Sequence, residues 1–236
     1  MQYAMRGLNL VNIAQTIFSV KNQIHEYEAL YGRAHNSIEL LAVSKTQPIE
    51  KIQQAIAVGQ MAFGENYLQE SLKKITALAE KNVVWHFIGR IQHNKTKKIA
   101  EHFAWVHSVS NLEIAKHLNN QRPAHLPPLN ICLQINISAE QTKAGIDPNE
   151  AFSLAEGCSV LPKLTLRGLM AIPAPKDSFD EQRAEFRKLR LIYDNLNTYG
   201  FKLDTLSMGM SHDMEAAIAE GATLVRIGTA IFGERI

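Results

Sequence analysis

The chain has 236 residues, 46% of them hydrophobic and 20% charged, with a net charge of +2. This composition excludes a disordered chain and lacks the basic excess of an electrostatic nucleic-acid binder, so no nucleic-acid partner is expected. No apolar run nears the ~18 residues of a membrane span, and Asn9, Asn12 and Gln15 interrupt any leader-like stretch, so a cytoplasmic protein without a membrane partner is expected.

A long helical pattern, roughly Leu8 to Leu30, comes first. Short β-branched or aromatic runs then alternate with helical patterns. The runs are Ile38–Ser44, Met61–Glu65, Val83–Gly89, Ala104–Val109, Leu129–Ile137, Leu164–Ile172, Leu203–Met208 and Thr223–Gly228, eight candidate strands. Between the first two, Pro48 suits a first helical turn, Ile49, Ile52 and Ile56 follow at helical spacing, and Gly59 suits the stop. The basic run Arg90, Lys95, Lys97 and Lys98 reads as a solvated helix face or as an anion contact. Arg122–Pro128 carries three prolines and reads as a loop. Ser178 to Glu181 reads as a capping box opening a helix with Phe179, Phe186, Leu189, Tyr193 and Leu196 on one face. Ser211 and Gly221 bracket the helix before the last strand. Cys132 and Cys158 read as reduced core residues.

Strand–helix alternation predicts a parallel sheet, and eight units predict a closed (β/α)8 TIM barrel over one domain, residues 1–236. An open doubly wound sheet is the alternative, but no GxGxxG turn follows the first strand. The chain ends just after the eighth strand, so no eighth helix is expected there and the additional N-terminal helix is expected to cover that position.

A barrel carries its chemistry at the C-terminal ends of its strands. Lys45 ends the first run. Its amine suits Schiff-base chemistry if partly buried near positive charge; a snorkelling lysine is the plain alternative. The loop after the seventh run reads Ser207-Met-Gly-Met-Ser211, and that after the eighth reads Arg226-Ile-Gly-Thr-Ala230. Gly209 and Gly228 allow close backbone approach, and Ser211 and Thr229 supply hydroxyls. The pair reads as an anion site or as ordinary turns and caps. Lysine and anion loops together suggest a phosphorylated carbonyl ligand, and pyridoxal 5'-phosphate (PLP) fits. Arg226, near its ring, would hold the pyridine nitrogen unprotonated and weaken the electron sink.

Seven segments then carry a family resemblance: Ala42-Val-Ser-Lys-Thr-Gln-Pro48, Phe63-Gly-Glu-Asn-Tyr-Leu-Gln-Glu70, Trp85 to Lys95, Gln134 to Glu140 with Lys143 and Gly145, Gly168 to Pro173, Leu206 to Ser211, and Val225 to Arg235. Together they resemble the pyridoxal phosphate homeostasis protein family, related to the N-terminal barrel of alanine racemase. The resemblance implies a Schiff base on Lys45, Arg226 at the pyridine nitrogen, Ser211, Gly228 and Thr229 on the phosphate, and Asn66 beside the cofactor. Met208 and Met210 are expected to pack around the ring. Ser110 departs from the aspartate common in the family, which bears on helix capping.

A PLP carrier in intracellular vitamin B6 homeostasis is therefore expected, a monomer without catalytic residues, with apo PLP-dependent enzymes as possible recipients. The alternatives are a PLP-dependent amino-acid racemase, which needs a second acid/base on the opposite ring face, and a Schiff-base aldolase. His86, His93, His102 and His107 lack metal-ligand spacing, so no metal site is expected; His86 reads as a hydrogen-bonded structural residue. Glu65 reads as a barrel-mouth group and Glu70 as a solvated helix residue.

Overall fold

The computed structural model describes residues 11–138 and 144–234. Eight parallel strands close into a barrel in chain order: β1 (Glu39–Val43), β2 (Ala62–Glu65), β3 (Val84–Phe87), β4 (Trp105–Val109), β5 (Leu129–Gln134), β6 (Leu164–Met170), β7 (Thr205–Ser207) and β8 (Leu224–Ile227). Closure runs through β1 and β8, where Leu41 pairs with Arg226 and Ala42 with Ile227. All eight runs read from sequence are strands, each trimmed at one or both ends. The trimming is largest where apolar residues continue into loops: β5 stops at Gln134, and Ile135 makes only an isolated bridge to Ile146.

The helices α2 (Ile49–Ala57), α3 (Leu68–Ala77), α4 (Thr96–His102), α5 (Leu112–Gln121), α6 (Ala151–Ser159), α7 (Phe179–Thr198) and α8 (Met214–Ala219) connect successive strands. They bury one stripe against the barrel, and most of the core lies between the two layers. A smaller cluster of Leu41, Ala62 and Leu224 fills part of the barrel interior. Cys132 and Cys158 are buried and free, as expected, and burial holds both thiols far up, Cys158 to about 12.

The N-terminal helix α1 (Ile13–Leu30) buries Ile13, Ile17, Val20 and Ile24, a stripe at helical spacing. Each such side chain contributes about 1.5–3 kcal/mol on leaving water. The stripe packs on α2 and α8, so α1 takes the place of an eighth barrel helix. One short turn does follow β8, contrary to expectation: α9 (Thr229–Phe232), tied to α1 by Thr16 Oγ1 donating to the Ile231 carbonyl at 2.8 Å. Residues 8–10 of the N-terminal pattern, 139–143 of the fourth family segment and Arg235 of the last lie outside the described residues.

Three local expectations change. The capping box at Ser178 gains a bond: its hydroxyl accepts from Glu181 N and also donates to the Glu181 carboxylate, which the Ser178 amide helps to hold. Phe179 is exposed at the head of α7 and stacks on Tyr31 rather than joining Phe186 and Leu189 in the core. α8 begins at Met214, capped by Asp213 and not by Ser211, because residues 211–213 form a turn first. At α5 the neighbouring Asn111 caps Ile114 N at 2.8 Å, so Ser110 leaves no uncapped end. Among the described residues no helix is long and apolar enough to cross a membrane.

Candidate functional site

The C-terminal mouth of the barrel holds a cleft of about 190 Å³ at the β1–β8 seam. It gathers Lys45 from the end of β1, Asn66 from the end of β2, Ser211 from the loop after β7, and Arg226, Gly228 and Thr229 from β8 and its loop. Six of the seven residues singled out from sequence thus share one cavity. Met208 does not: it is fully buried in the core, its amide bonded to the Leu224 carbonyl at 3.1 Å. Met210, the other methionine expected at the ring, does line the cleft. Alternation in the extended segment leaving β7 sends Met208 inward and leaves Met210 beyond the turn at Gly209. Val43, Ile88 and Ile172 supply further apolar wall, and Gln47, His212 and Gly233 complete the lining, none of them singled out beforehand. Ile88 and Ile172 were visible in the sequence only as strand-end residues.

Backbone geometry explains how these groups are presented. Gly89 lies so close to Asn66 that a Cβ there would stand 2.1 Å from the Asn66 carbonyl oxygen, so the β2 end can pass only over a glycine. Gly209 has φ +93°, open to glycine at little cost, and its carbonyl accepts from Arg226 N at 2.9 Å. That bond ties the loop after β7 to β8. Asp213 holds the same loop by accepting from Met210 N. The Ser211 and His212 amides donate to no group among the described residues. The Thr229 and Ala230 amides open α9 and have no partner inside the helix. Hydroxyls at Ser211 and Thr229 flank these donors, making an arrangement suited to a phosphate.

Behind Lys45 sits a charged cluster. Lys74, a buried residue of α3, donates to the Ser44 carbonyl at 2.7 Å and to Glu65 Oε1 at 2.8 Å, and also reaches Glu70. Ser44 Oγ donates to the same Glu65 oxygen at 2.6 Å. Glu70 accepts from Thr46 N, whose residue has φ +63°, an uncommon conformation for a β-branched side chain. Glu70 is therefore a tether of the Lys45 turn rather than a solvated residue. Burial pushes the Glu65 carboxyl up, against the pull of Lys74. Glu65 Oε2 and Asn66 Oδ1 are buried acceptors with no hydrogen-bond partner among the described residues.

Behind Arg226 lies a neutral chain. Arg226 is 4% exposed. Its Nη1 donates to the carbonyl and hydroxyl of Ser207, and its Nη2 to the Ala171 carbonyl at 2.9 Å. The Nε proton and one Nη2 proton remain for a ligand. Burial lowers the guanidinium to about 10. Because arginine only donates, Ser207 Oγ accepts from it, and the hydroxyl also shares a hydrogen with His107 Nδ1, 2.8 Å away. His107 Nε2 shares a second hydrogen with His86 Nδ1 at 2.9 Å, so the two neutral rings carry their protons on the same type of nitrogen, and His86 Nε2 is a buried atom without a partner among the described residues. Desolvation keeps both imidazoles neutral, lowering His86 to about 3 and His107 well below its usual value, with Arg226 adding to the latter. His86 also stacks on Trp105, so it is the structural histidine the sequence suggested.

A second, wider cleft of about 770 Å³ adjoins the first, and Asn66 lines both. The basic run divides here. Lys97 and Lys98 pair with Glu101 on the solvated face of α4, whereas Arg90 and Lys95 line the wide cleft.

The alanine racemase N-terminal domain family matches residues 19–236. A pyridoxal phosphate homeostasis protein of Pseudomonas aeruginosa is 55% identical over 223 residues, covering 94% of this chain and 96% of the relative. One from Escherichia coli K12 is 50% identical over 227 residues, covering 95% and 97%. PipY of Synechococcus elongatus PCC7942, solved with PLP bound, superimposes with a TM-score of 0.82 at 35% identity, covering 94% of this chain and all of that one.

Proposed function

The chain belongs to the alanine racemase N-terminal domain family and, within it, to the pyridoxal phosphate homeostasis proteins, and from that premise we propose that it is an intracellular PLP carrier holding the cofactor as a Schiff base on Lys45. The observation that carries the proposal is the single cleft joining Lys45, Asn66, Ser211, Arg226, Gly228 and Thr229.

The residues present fit the group. The cofactor supplies an aldehyde, a phosphate dianion and an aromatic ring. Lys45 offers the amine for the aldehyde. The Ser211 and Thr229 hydroxyls and the amides of both loops offer donors for the dianion, with Gly228 letting the backbone approach. Val43, Ile88, Ile172 and Met210 offer apolar contact for the ring, without Met208. Asn66 presents a buried, unsatisfied acceptor to a bound donor. Arg226 keeps an Nε proton for the pyridine nitrogen, and an arginine there leaves the ring a weak electron sink.

That choice favours carriage over turnover. An amino-acid racemase needs a second acid/base facing the ring. Among the described cleft residues, Arg226 is pinned by three acceptors and His212 is the single imidazole. The protein is thus read as a one-domain, monomeric, cytoplasmic carrier without catalytic turnover, delivering PLP to apo enzymes. Its test is the visible absorption spectrum with added PLP beside Lys45→Ala. A yellow band removed by borohydride and missing in the variant is expected; a colourless protein that takes up no PLP overturns the reading. Alanine racemisation lost in Lys45→Ala would replace the carrier with the racemase.

A further inference from the structure

The histidine spacings along the chain gave no metal site, yet the fold brings His93 against two residues of another element. His93 stands in the 3-10 turn His93–Lys95, while Glu113 and His117 stand on α5. Positions four apart share one face of a helix, so both side chains meet the turn together. One ligating atom from each residue lies within 4.8 Å of the other two. His93 Nε2 and Glu113 Oε2 are 3.4 Å apart, and the rings of His93 and His117 meet edge to face at 4.7 Å. Ligands held at about 2.0–2.1 Å in a tetrahedron stand roughly 3.3–3.4 Å from each other. The His93–Glu113 separation matches that edge, and no hydrogen bond joins the two groups. Among the described residues neither imidazole has a hydrogen-bond partner, so their nitrogens are available to a cation.

A second cluster of the same composition shows what a non-site looks like. Around His25, Glu28 and His35, the buried Glu28 carboxylate already accepts from the amides of Asn36 and Ile38, each at 3.0 Å, and from the Ser37 hydroxyl. His25 Nε2 is bonded to Asn36 Oδ1 at 3.1 Å. That carboxylate orders a loop and has little to give a metal. Glu113 has no such duties and is exposed.

We propose that His93, Glu113 and His117 form a three-ligand site for a divalent transition-metal ion, zinc by preference, with the fourth position open to water. Two imidazoles and a carboxylate are borderline donors that suit zinc over magnesium or calcium. The site would cross-link the turn at His93 to α5. That turn carries Lys95, and Gln92 precedes it, both on the wall of the wide cleft beside Asn66. Metal binding there fixes one wall of that cleft.

The test is calorimetric titration of the chelator-treated full-length protein with zinc chloride near neutral pH, repeated with His93→Ala, His117→Ala and Glu113→Gln. One ion per chain is expected. Either histidine variant should weaken binding at least tenfold, and Glu113→Gln less. Cobalt substituted for zinc should give the intense visible bands of a tetrahedral ion, lost in both histidine variants. PLP uptake by the variants reports that the fold is intact. No saturable one-to-one binding by the parent protein, or undiminished binding in folded histidine variants, overturns the proposal.

Discussion

Two buried polar assemblies support the same cleft, and they are built on opposite principles. The one behind Lys45 is charged: Lys74, Glu65 and Glu70 bridge α3 to the turn after β1. The one behind Arg226 is neutral: Ser207, His107 and His86 run through the barrel interior. The difference follows from what each must hold. The turn at Lys45 contains Thr46 at positive φ and a buried Ser44 carbonyl oxygen, and a cation with a carboxylate partner can grip both ends of it. The arginine already carries a charge in a dry site, where a second cation would be repelled. Neutral acceptors fix it here, and the imidazoles stay neutral because burial forbids their charging.

The contrast can be broken at the charged end first. Lys74→Met leaves Glu65 in the core without its cation, and should cost about 3–5 kcal/mol in urea unfolding. A loss below 1 kcal/mol would mean that the cluster is structurally idle. Next comes packing within one loop. Met208→Ala opens a core cavity and should cost about 2–5 kcal/mol, whereas Met210→Ala, at a partly exposed position, should stay within about 0.5 kcal/mol and instead weaken PLP uptake. The reverse pattern would restore Met208 as a cofactor contact.

The neutral end responds to pH. An imidazole with a folded value near 3 and an unfolded value near 6.5 binds its proton more tightly in the unfolded chain. Its stabilising effect is complete above pH 6.5 and is lost progressively as pH falls toward 3. Glu65, shifted upward, acts with the opposite sign: its contribution is present below pH 4.5 and lost as pH rises through its folded value. Unfolding free energy should therefore fall on the acid side of pH 6.5, and a His86→Phe, His107→Leu double variant should flatten that limb. An unchanged limb would place the acid sensitivity elsewhere. The smallest effect is the finest: nitrogen-15 NMR should find both rings neutral at pH 6 and protonated at the same type of nitrogen. Opposite tautomers in the two rings would break the chain behind Arg226.

Much of this was legible in the sequence, because the period of the apolar runs and the strand-end position of Lys45, Asn66, Ser211 and Arg226 are local signals. What was hidden depends on contacts between distant segments. Lys74 looks like any helix-surface lysine until Glu65, nine residues earlier, is seen beneath it. His86 and His107 are 21 residues apart and touch because β3 and β4 are neighbours. Met208 and Met210 are equally plausible loop methionines, and a single turn at Gly209 decides which is buried. The capping box at Asp147–Glu150, formed by both reciprocal bonds, went unread although its Asp-Pro-Asn-Glu spacing is local.

Central to the account is the identity of the lysine that holds the cofactor. The direct measurement is borohydride reduction of the PLP-loaded protein, followed by proteolysis and mass spectrometry of the modified peptide. Phosphopyridoxyl modification confined to the peptide bearing Lys45, and absent from Lys45→Ala, is the predicted result. Modification centred on another lysine, such as Lys51 or Lys95, or persisting undiminished in the variant, would contradict it.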